Sequence, residues 1–266
     1  MNRLCSREPD QAGSPHVRVF ADANDIGTAA AREIAELVQE RGNRGRPCVL
    51  GLAAGVTPIA VYRMLVRLHR QGLSFANVVT FNLDEYYPMQ PSSPHSYSRF
   101  VRENFLNHVD QDPANVHVLD GSLRVDCVAE HCEHYEQCIA AAGGIDLQLL
   151  GIGRNGHIGF NEPGSPRTSR TRRVTLDEAT RHDAQASFGE DEVPKQAITM
   201  GIDSILGARR VLLLAVGSHK ATIVAKAVEG TVTGEVPASF LKEHPDASIY
   251  LDRTAAECLS RVNQKE

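Results

Sequence analysis

The sequence predicts an α/β fold: a single, doubly wound (Rossmann-like) domain with a mainly parallel sheet, helices on both faces and a mobile lid insertion. Short apolar runs alternate with helical patterns along the chain, and this alternation is typical of a parallel sheet. Two of the runs, LQLLGI and VLLLAV, are apolar on both faces. Such runs indicate central strands that helices cover on either side.

The predicted elements follow one another without an internal repeat or an interdomain linker. The first half contains the strands VRVF, PCVLGL and NVVTFNL, which lead into the helix AAAREIAELVQE, a helix from about Thr57 and a helix after Ser96. The second half contains the strands IDLQLLGI, part of ITMGI, RRVLLLAVG and ASIYL, with helices around residues 125–142 and 220–228.

Two polar segments bear on the domain organisation: one precedes the domain and the other lies within it. Residues 1–15 are rich in Pro, Gly, Ser and charge, so we expect a disordered tail before one domain that spans residues 16–266. Residues 161–195 form a long polar stretch without clear periodicity. Such a stretch inside a compact domain indicates a functional lid rather than a second domain.

Composition and charge limit the class of function. The chain has 266 residues, of which 42% are hydrophobic and 23% charged, as in an ordinary globular protein. Its net charge of −5 would not attract a nucleic-acid backbone. No apolar run approaches the roughly 20 residues that a membrane helix needs, and the N-terminus lacks the apolar core of a signal peptide. We therefore expect a cytoplasmic protein without nucleic-acid or membrane partners.

Ligands of open parallel α/β sheets bind beyond the carboxyl ends of the strands, so the residues after each apolar run are candidates for the site. PCVLGL is followed by Ala54, Gly55, Val56 and Thr57. Gly55 permits a tight turn, Thr57 can cap the next helix, and the backbone N–H groups of the helix start can bind phosphate. Taken alone, this turn fits a purely structural connection equally well.

Two further loops add charged groups. VLLLAV is followed by GSHK, which places Lys220 in the first turn of a helix, where a cation is unfavourable unless an anion binds beside it. The alternative is a solvent-exposed lysine. NVVTFNL is followed by Asp84 and Glu85, whose side chains point to opposite sides of an extended segment, so only one faces the ligand. A partly desolvated carboxylate there can act as a general base; the alternative is a loop acid or helix cap.

The strongest signal follows LQLLGI. A glycine-rich turn carries Asn155 and His157, and Glu162 follows five residues later, just before Pro163. Histidine transfers protons near neutral pH, and a neighbouring carboxylate fixes its tautomer and stabilises its charged form. The sequence therefore predicts a proton-transfer site that contains His157 and Glu162.

The cysteines carry one competing hypothesis. Cys127, His131, His134 and Cys138 fall on one stripe of a predicted helix and could in principle bind zinc. Structural zinc usually ties separate elements together rather than one helix face. We therefore interpret the stripe as a partly buried helix face, and we expect reduced thiols and no bound metal.

Together the segments resemble a known family. LGLAAGVTP, FNLDEYY, GIGRNGHIGFNEP, SRTR and ITMGI are similar to motifs of the glucosamine-6-phosphate deaminases, also called glucosamine-6-phosphate isomerases, over nearly the whole chain after the tail. The related 6-phosphogluconolactonases share a similar fold and a GxxGH-type loop. They lack the FNEP continuation and the FNxDEY strand end.

The resemblance implies conversion of D-glucosamine 6-phosphate and water to D-fructose 6-phosphate and ammonia, without a metal or organic cofactor. His157, supported by Glu162, would open the pyranose ring, and Asp84 would move a proton from C2 to C1. Ammonia would leave from C2 after water attacks the imine. The same resemblance assigns the substrate phosphate to the turn of residues 54–57 and to Lys220.

Three positions depart from the family pattern. Asn155 stands where some members have an aspartate; asparagine can orient the histidine but cannot stabilise its charged form by charge, so more depends on the glutamate. An arginine that contacts the phosphate from the lid aligns with Ala186, which leaves Arg181 or another residue to replace it. Val56 adds bulk where the backbone must approach the phosphate.

These departures leave two alternatives open: an isomerase or lactonase-type hydrolase for a different sugar phosphate, and a non-catalytic sugar-phosphate sensor. The sequence also leaves open whether the protein is a monomer or a homo-oligomer.

The regulatory phosphate site of hexameric members aligns with Ser165 and Arg172, but its lysine aligns with Val174. We expect allosteric activation by an acetylated amino sugar phosphate to be absent or weak. A sigmoidal rate curve that this ligand makes hyperbolic would contradict that expectation.

Overall fold

The computed structural model describes residues 15–260. The strands within this range are β1 (His16–Phe20), β2 (Cys48–Leu52), β3 (Val78–Asn82), β4 (Asp84–Tyr87), β5 (Val116–His117), β6 (Leu147–Leu150), β7 (Arg172–Thr175), β8 (Gln196–Thr199), β9 (Val211–Ala215) and β10 (Ala247–Asp252). The α-helices are α1 (Ala23–Asn43), α2 (Ile59–Arg70), α3 (Tyr97–Asn104), α4 (Val128–Ala141), α5 (Glu178–Phe188), α6 (Ile202–Leu206) and α7 (Ala221–Glu229).

Seven strands form one parallel sheet in the order β1-β10-β9-β6-β2-β3-β5. The two runs predicted to be central, β9 and β6, are the third and fourth strands of this order. Because all seven strands are parallel, their carboxyl ends lie at one edge of the sheet. The loops that leave β2, β3, β6 and β9 therefore meet there.

Helices cover both faces of this sheet, which confirms the predicted doubly wound α/β fold. Within β9, Val211 and Leu213 pack into the core under α4, α6 and α7, while Leu212 and Leu214 pack into the core under α1, α2 and α3. Alternate residues of a strand point to opposite faces, so a strand that is buried on both sides, like β9, carries apolar residues at consecutive positions.

Capping residues place several helix starts. The Asp22 carboxylate accepts hydrogen bonds from the backbone N–H groups of Asn24 and Asp25 and so begins α1. Ser96 Oγ accepts from Arg99 N at the start of α3, where the sequence predicted a helix. Side chains of this type satisfy backbone donors that would otherwise lack partners at a helix N-terminus.

A second, smaller sheet was not predicted. It has the order β4-β8-β7, and both of its strand pairs are antiparallel. The strand expected within ITMGI begins earlier, at Gln196, and belongs to this sheet. The expected lid, residues 161–195, contains β7 and α5, so it has regular secondary structure; its mobility stays a prediction. The tail predicted for residues 1–15 lies outside the described residues apart from Pro15.

Across residues 15–260, no helix combines the length and the apolar character that a membrane crossing requires.

The close packing of α1 on α2 allows a test of the fold. A methyl group at Gly27 of α1 would lie 2.5 Å from Cβ of Ala60 and 2.7 Å from its carbonyl carbon. We expect Gly27→Ala to lower the free energy of unfolding by about 1–3 kcal/mol, because overpacking forces the helices apart.

Gly42→Ala is the matched control in the same helix. No atom lies within 4 Å of a methyl group at Gly42, so the change should leave stability unchanged or raise it by up to about 1 kcal/mol. Urea unfolding of the two variants measures both effects. Equal stability of the two variants would contradict the close α1–α2 contact.

Candidate active site

The loop after β2 is the predicted phosphate turn. Gly55 has a φ of 101°, a left-handed conformation that favours glycine. Tyr62 of α2 donates a hydrogen bond from its hydroxyl to the carbonyl oxygen of Ala53, at 2.6 Å, and so ties the turn to the helix. The expected cap is wrong: α2 begins at Ile59 after Pro58 without a side-chain cap. Thr57 lies one residue too early for that role.

Val56 occupies the tip of this turn with its side chain 85% exposed. The core therefore does not take up the extra bulk that Val56 brings, and the side chain borders open space beside the turn. Val56 is one of three large hydrophobic residues that are exposed in the described part of the chain.

The adjacent carboxylates Asp84 and Glu85 have opposite environments, as the alternation of side chains in a strand predicts. Glu85 accepts hydrogen bonds from the backbone N–H groups of Tyr97 and Ser98 and from Ser96 Oγ. It therefore closes the N-terminus of α3, which is the helix-cap role that the sequence left open for one of the pair. Burial raises the pKa of Glu85, and these hydrogen bonds oppose that rise.

Asp84 is also buried, with 7% of its surface exposed, but its carboxylate accepts no hydrogen bond from the described residues. Burial, reinforced by the negative charge of Glu85, raises the pKa of Asp84 to about 8. A carboxylate with a proton affinity in this range can accept and return a proton near neutral pH. Asp84 is thus the member of the pair that suits general-base chemistry.

His157 and Glu162 are brought together as predicted. His157 Nδ1 lies 3.4 Å from Glu162 Oε2 and 3.2 Å from Thr180 Oγ1. These contacts occupy one ring nitrogen and leave Nε2 for a substrate. The ring lies close above Gly153, where an added methyl group would be 2.2 Å from His157 Cε1. The GIG segment before the histidine therefore provides space for the ring.

Asn155 contacts the His157–Glu162 pair, but not in the expected way, which was to orient the histidine. Its amide Nδ2 donates to Glu162 Oε2 at 2.7 Å, and its Oδ1 accepts from the backbone N–H of His157 at 3.2 Å. It thus orients the carboxylate and the loop backbone rather than the imidazole ring. Burial would raise the pKa of Glu162, but hydrogen bonds from His157, Asn155 and Thr180 hold it below its ordinary value.

The link between Asp84 and the histidine loop passes through β8. Thr199 is the strand partner of Asp84 in the smaller sheet, and its Oγ1 accepts a hydrogen bond from Phe160 N at 3.1 Å. Asn161 Nδ2 donates to Met200 O at 2.8 Å. The unpredicted sheet therefore links the strand of Asp84 to the segment that follows His157.

Lys220 ends a short 3-10 turn, Ser218–Lys220, directly before α7. The sequence predicted Lys220 within the first turn of that helix, but α7 begins one residue later, at Ala221. Its side chain is partly buried, and this burial lowers its pKa; Asp183 opposes the shift and Arg154 adds to it. Lys220 is therefore not the freely exposed lysine that was the alternative.

The lid helix α5 supplies a contact that sequence reasoning missed, Thr180. The sequence does not indicate which face of α5 points toward His157, because the helix has no apolar stripe. Ala186 is exposed, and Arg181, named as its substitute, lies 3.5 Å from Val193 O and 3.9 Å from Glu192 Oε1. Arg181 thus contacts residues near the end of the lid segment, and its replacement of the phosphate-binding arginine stays a prediction.

Two of the predicted regulatory residues, Ser165 and Arg172, are in contact with each other beside the FNEP segment. Arg172 donates to Asn161 Oδ1 at 2.8 Å and to Ser165 Oγ at 3.3 Å, and burial lowers its pKa. Val174 follows in β7. The weak or absent activation expected from Val174 stays a prediction.

The zinc hypothesis for α4 has no geometric support. His131 Nε2 accepts a hydrogen bond from the backbone N–H of Asp120, and His134 lies 3.5 Å from Cys138 Sγ. In the described part of the chain, no three or more His, Cys, Asp or Glu side chains are grouped so that they could hold a metal ion.

A buried carboxylate and a histidine–glutamate pair, both at the ligand-binding edge of a parallel sheet, are residue types that suit proton transfer on a small molecule. The chain belongs to the glucosamine-6-phosphate isomerase/6-phosphogluconolactonase family, whose sequence model matches residues 21–250. The resemblance drawn from the motifs is therefore confirmed.

Relatives within this family are similar over most of the chain. Glucosamine-6-phosphate deaminase 1 of Bacillus subtilis (strain 168) is 44% identical over 234 residues, 87% of this chain and 94% of that protein. A putative glucosamine-6-phosphate deaminase-like protein of Bacteroides thetaiotaomicron is 44% identical over 248 residues, 92% of this chain, which spans only 37% of that longer protein. The solved structure of a monomeric glucosamine-6-phosphate deaminase is 42% identical with a TM-score of 0.87, covering 91% of this chain and 99% of that chain.

The buried Asp84 carboxyl group predicts a specific dependence of stability on pH. Its pKa is about 8 in the folded protein and about 4 in an unfolded chain. Between these values the folded protein holds a proton that the unfolded chain has released, so this group makes the protein less stable as pH rises.

We expect Asp84→Asn, which cannot ionise, to gain stability relative to the wild type from pH 5 to pH 8, by up to about 1.4 kcal/mol per pH unit. Urea unfolding of both proteins at several pH values measures the difference. A difference that stays constant over this range would contradict the raised pKa.

Proposed function

We propose that the protein is a glucosamine-6-phosphate deaminase, which converts D-glucosamine 6-phosphate and water to D-fructose 6-phosphate and ammonia. The observation that carries the proposal is the presence of two acid–base centres at one sheet edge: Asp84, whose pKa is raised to about 8, and the His157–Glu162 pair. The names of the relatives described above support the same activity.

The first step is opening of the sugar ring. It requires a proton to leave the anomeric hydroxyl and a proton to reach the ring oxygen. His157 Nε2 serves this exchange, because Nδ1 is held by Glu162 and Thr180. Glu162, whose pKa is lowered, stays ionised and stabilises the imidazolium that forms. Asn155 keeps the carboxylate in place.

The second step is proton transfer from C2 to C1. Asp84 removes the proton from C2 of the open-chain aldehyde while the aldehyde oxygen takes up a proton, which leaves an intermediate with a C1–C2 double bond. Asp84 then returns its proton to C1. This yields an imine at C2; water adds to the imine carbon, and ammonia leaves. A raised proton affinity suits Asp84 to this role because a carbon-bound proton is weakly acidic.

The phosphate is assigned to the backbone N–H groups of the turn Ala54, Gly55, Val56 and Thr57 and to the Lys220 ammonium group. The positive φ of Gly55 and the start of α2 two residues after Thr57 support this assignment, since N–H groups at a helix start favour an anion. The partly buried position of Lys220 supports it as well, because a phosphate would stabilise the charge that burial disfavours. A cytoplasmic location stays a prediction.

Ammonia release from D-glucosamine 6-phosphate by the purified protein tests the proposal. We expect Asp84→Asn to lower kcat by about 10²- to 10⁴-fold, the usual contribution of a general base. Asp203→Asn is a matched control, since Asp203 pairs with Arg167 at 3.0 Å outside this site and should leave the rate nearly unchanged.

A panel of other phosphosugars separates the alternatives. Absence of ammonia together with hydrolysis of 6-phosphogluconolactone would replace the deaminase by a lactonase. Thermal stabilisation by sugar phosphates without turnover of any of them would indicate a sensor. Full activity of folded Asp84→Asn would contradict the role given to Asp84.

A further inference from the structure

A charged pair joins the histidine loop to the lid. Arg154 precedes Asn155 in the loop after β6, and its Nε lies 3.2 Å from Oδ2 of Asp183 on α5. The Arg154 side chain is 61% exposed and that of Asp183 is 34% exposed. Asp183 lies three residues after Thr180, which contacts His157, so both residues are on one face of the lid helix.

The position of Arg154 in the sheet order is informative. β9, β6 and β2 are adjacent strands, and all of them run in the same direction. The loop after β9 leads to Lys220, and the loop after β2 is the turn of residues 54–57. Arg154 is in the loop after β6, so the segment that carries it follows the strand between the two strands that lead to the proposed phosphate-binding segments.

Arg154, Asp183 and Lys220 act on one another electrostatically. Burial lowers the pKa of Lys220, Asp183 opposes this shift, and Arg154 adds to it. The cluster therefore contains two cations and one carboxylate. A phosphate carries the charge that would neutralise the second cation, and it offers the oxygens that a guanidinium group can bind with two parallel hydrogen bonds.

The contact with Asp183 is weak enough to be exchanged. Nε of Arg154 lies 3.2 Å from the carboxylate, and the arginine side chain is 61% exposed. Exposed pairs of this kind contribute little to stability because water and salt screen them. A phosphate that binds both Arg154 and Lys220 competes with the one carboxylate of Asp183.

We propose that Arg154 is a specificity-determining residue of this site, which exchanges Asp183 for the phosphate of the substrate when the substrate binds. The proposal rests on the proposed function, because it adds a second side-chain cation to the same phosphate-binding region. It assigns Asp183 the role of a resting counter-charge. The competing explanation is that the pair only fastens the lid helix to the histidine loop.

The two explanations predict opposite effects of Asp183→Asn on phosphate affinity. If Arg154 binds phosphate, Arg154→Gln weakens phosphate binding, and Asp183→Asn strengthens it by removing the competitor. If the pair only fastens the lid, both variants remove the same contact and shift binding and rate in the same direction. Arg154→Lys keeps the charge but loses the planar donor pair, and it should fall between the wild type and Arg154→Gln.

The test measures KM and kcat for D-glucosamine 6-phosphate and, independently of turnover, the Kd of inorganic phosphate by calorimetry. We expect Arg154→Gln to raise both KM and the phosphate Kd by about tenfold, as the loss of one charge-assisted contact does, with kcat changed far less. Asp183→Asn should lower the phosphate Kd by about threefold, a modest change typical of one exposed charge.

Arg124→Gln is the matched control. Arg124 is also an exposed arginine with a carboxylate partner, Asp126, at 2.7 Å, but it precedes α4 rather than following a sheet strand. It should leave KM and the phosphate Kd unchanged. An unchanged phosphate Kd in Arg154→Gln, a weaker phosphate affinity in Asp183→Asn, or no phosphate binding by the wild type would overturn the inference.

The same measurements keep the two proposals distinct. If the wild type releases no ammonia but the phosphate Kd depends on Arg154 as expected, the deaminase function is wrong and the phosphate role of Arg154 stands. If ammonia is released and the Arg154 variants bind phosphate like the wild type, only the inference fails.

Discussion

The organisation of the site depends on the hydrogen bonds and the ion pair of the Glu162 carboxylate. It receives Asn155 Nδ2 at 2.7 Å and the backbone N–H of Asp177 at 3.2 Å, and it lies 3.4 Å from His157 Nδ1. Asp177 is also the residue that caps α5. One buried anion therefore joins the histidine loop, the imidazole ring and the start of the lid helix. A charge buried at this depth must be paired and hydrogen-bonded, so these three elements depend on one another.

The contrast between Glu162 and Asp84 shows how one sheet edge can hold carboxylates with different chemistry. Glu162 is surrounded by donors and keeps a lowered pKa. Asp84 has no donor from the described residues, lies beside Glu85, and has its pKa raised to about 8. The environment rather than the residue type separates a permanent charge from a proton acceptor. Glu85 contributes to this difference, because it adds a negative charge while capping α3.

The parts of the fold that the sequence predicted are those with strong local patterns. β6 and β9 were predicted because apolar residues fall on both of their faces, with Gln148 of β6 as the one polar residue of the two strands. β4 was not, because DEYY begins with two carboxylates and its pairing partner, β8, lies more than a hundred residues later in the chain. The alternation of side chains predicted that Asp84 and Glu85 point apart, but alternation does not indicate which side is the crevice. That choice depends on α3, which receives Glu85.

Thr180 and Arg154 were missed for a related reason. Each lies in a polar segment, where no apolar stripe fixes the rotation of the helix or the direction of the loop. The predicted cap at Thr57 failed because a glycine turn followed by proline can start a helix at more than one position. Pro58 lacks an N–H group and takes the N-cap position itself, without a side-chain cap. Local sequence thus identifies the residue types of this site more readily than their contacts.

The proton-transfer groups and the proposed phosphate-binding groups differ in how firmly the fold holds them. Asp84 and Glu162 are buried, and Glu162 shares its hydrogen bonds with several other parts of the site, so a change at Glu162 disturbs its neighbours. Val56 is 85% exposed and Arg154 is 61% exposed, and their few contacts can be replaced at little cost in stability. Substitutions at the phosphate end can therefore alter substrate preference while the acid–base groups stay in place. Of the three positions expected to depart from the family pattern, Val56 and Ala186 are exposed, while Asn155 is partly buried and contacts Glu162.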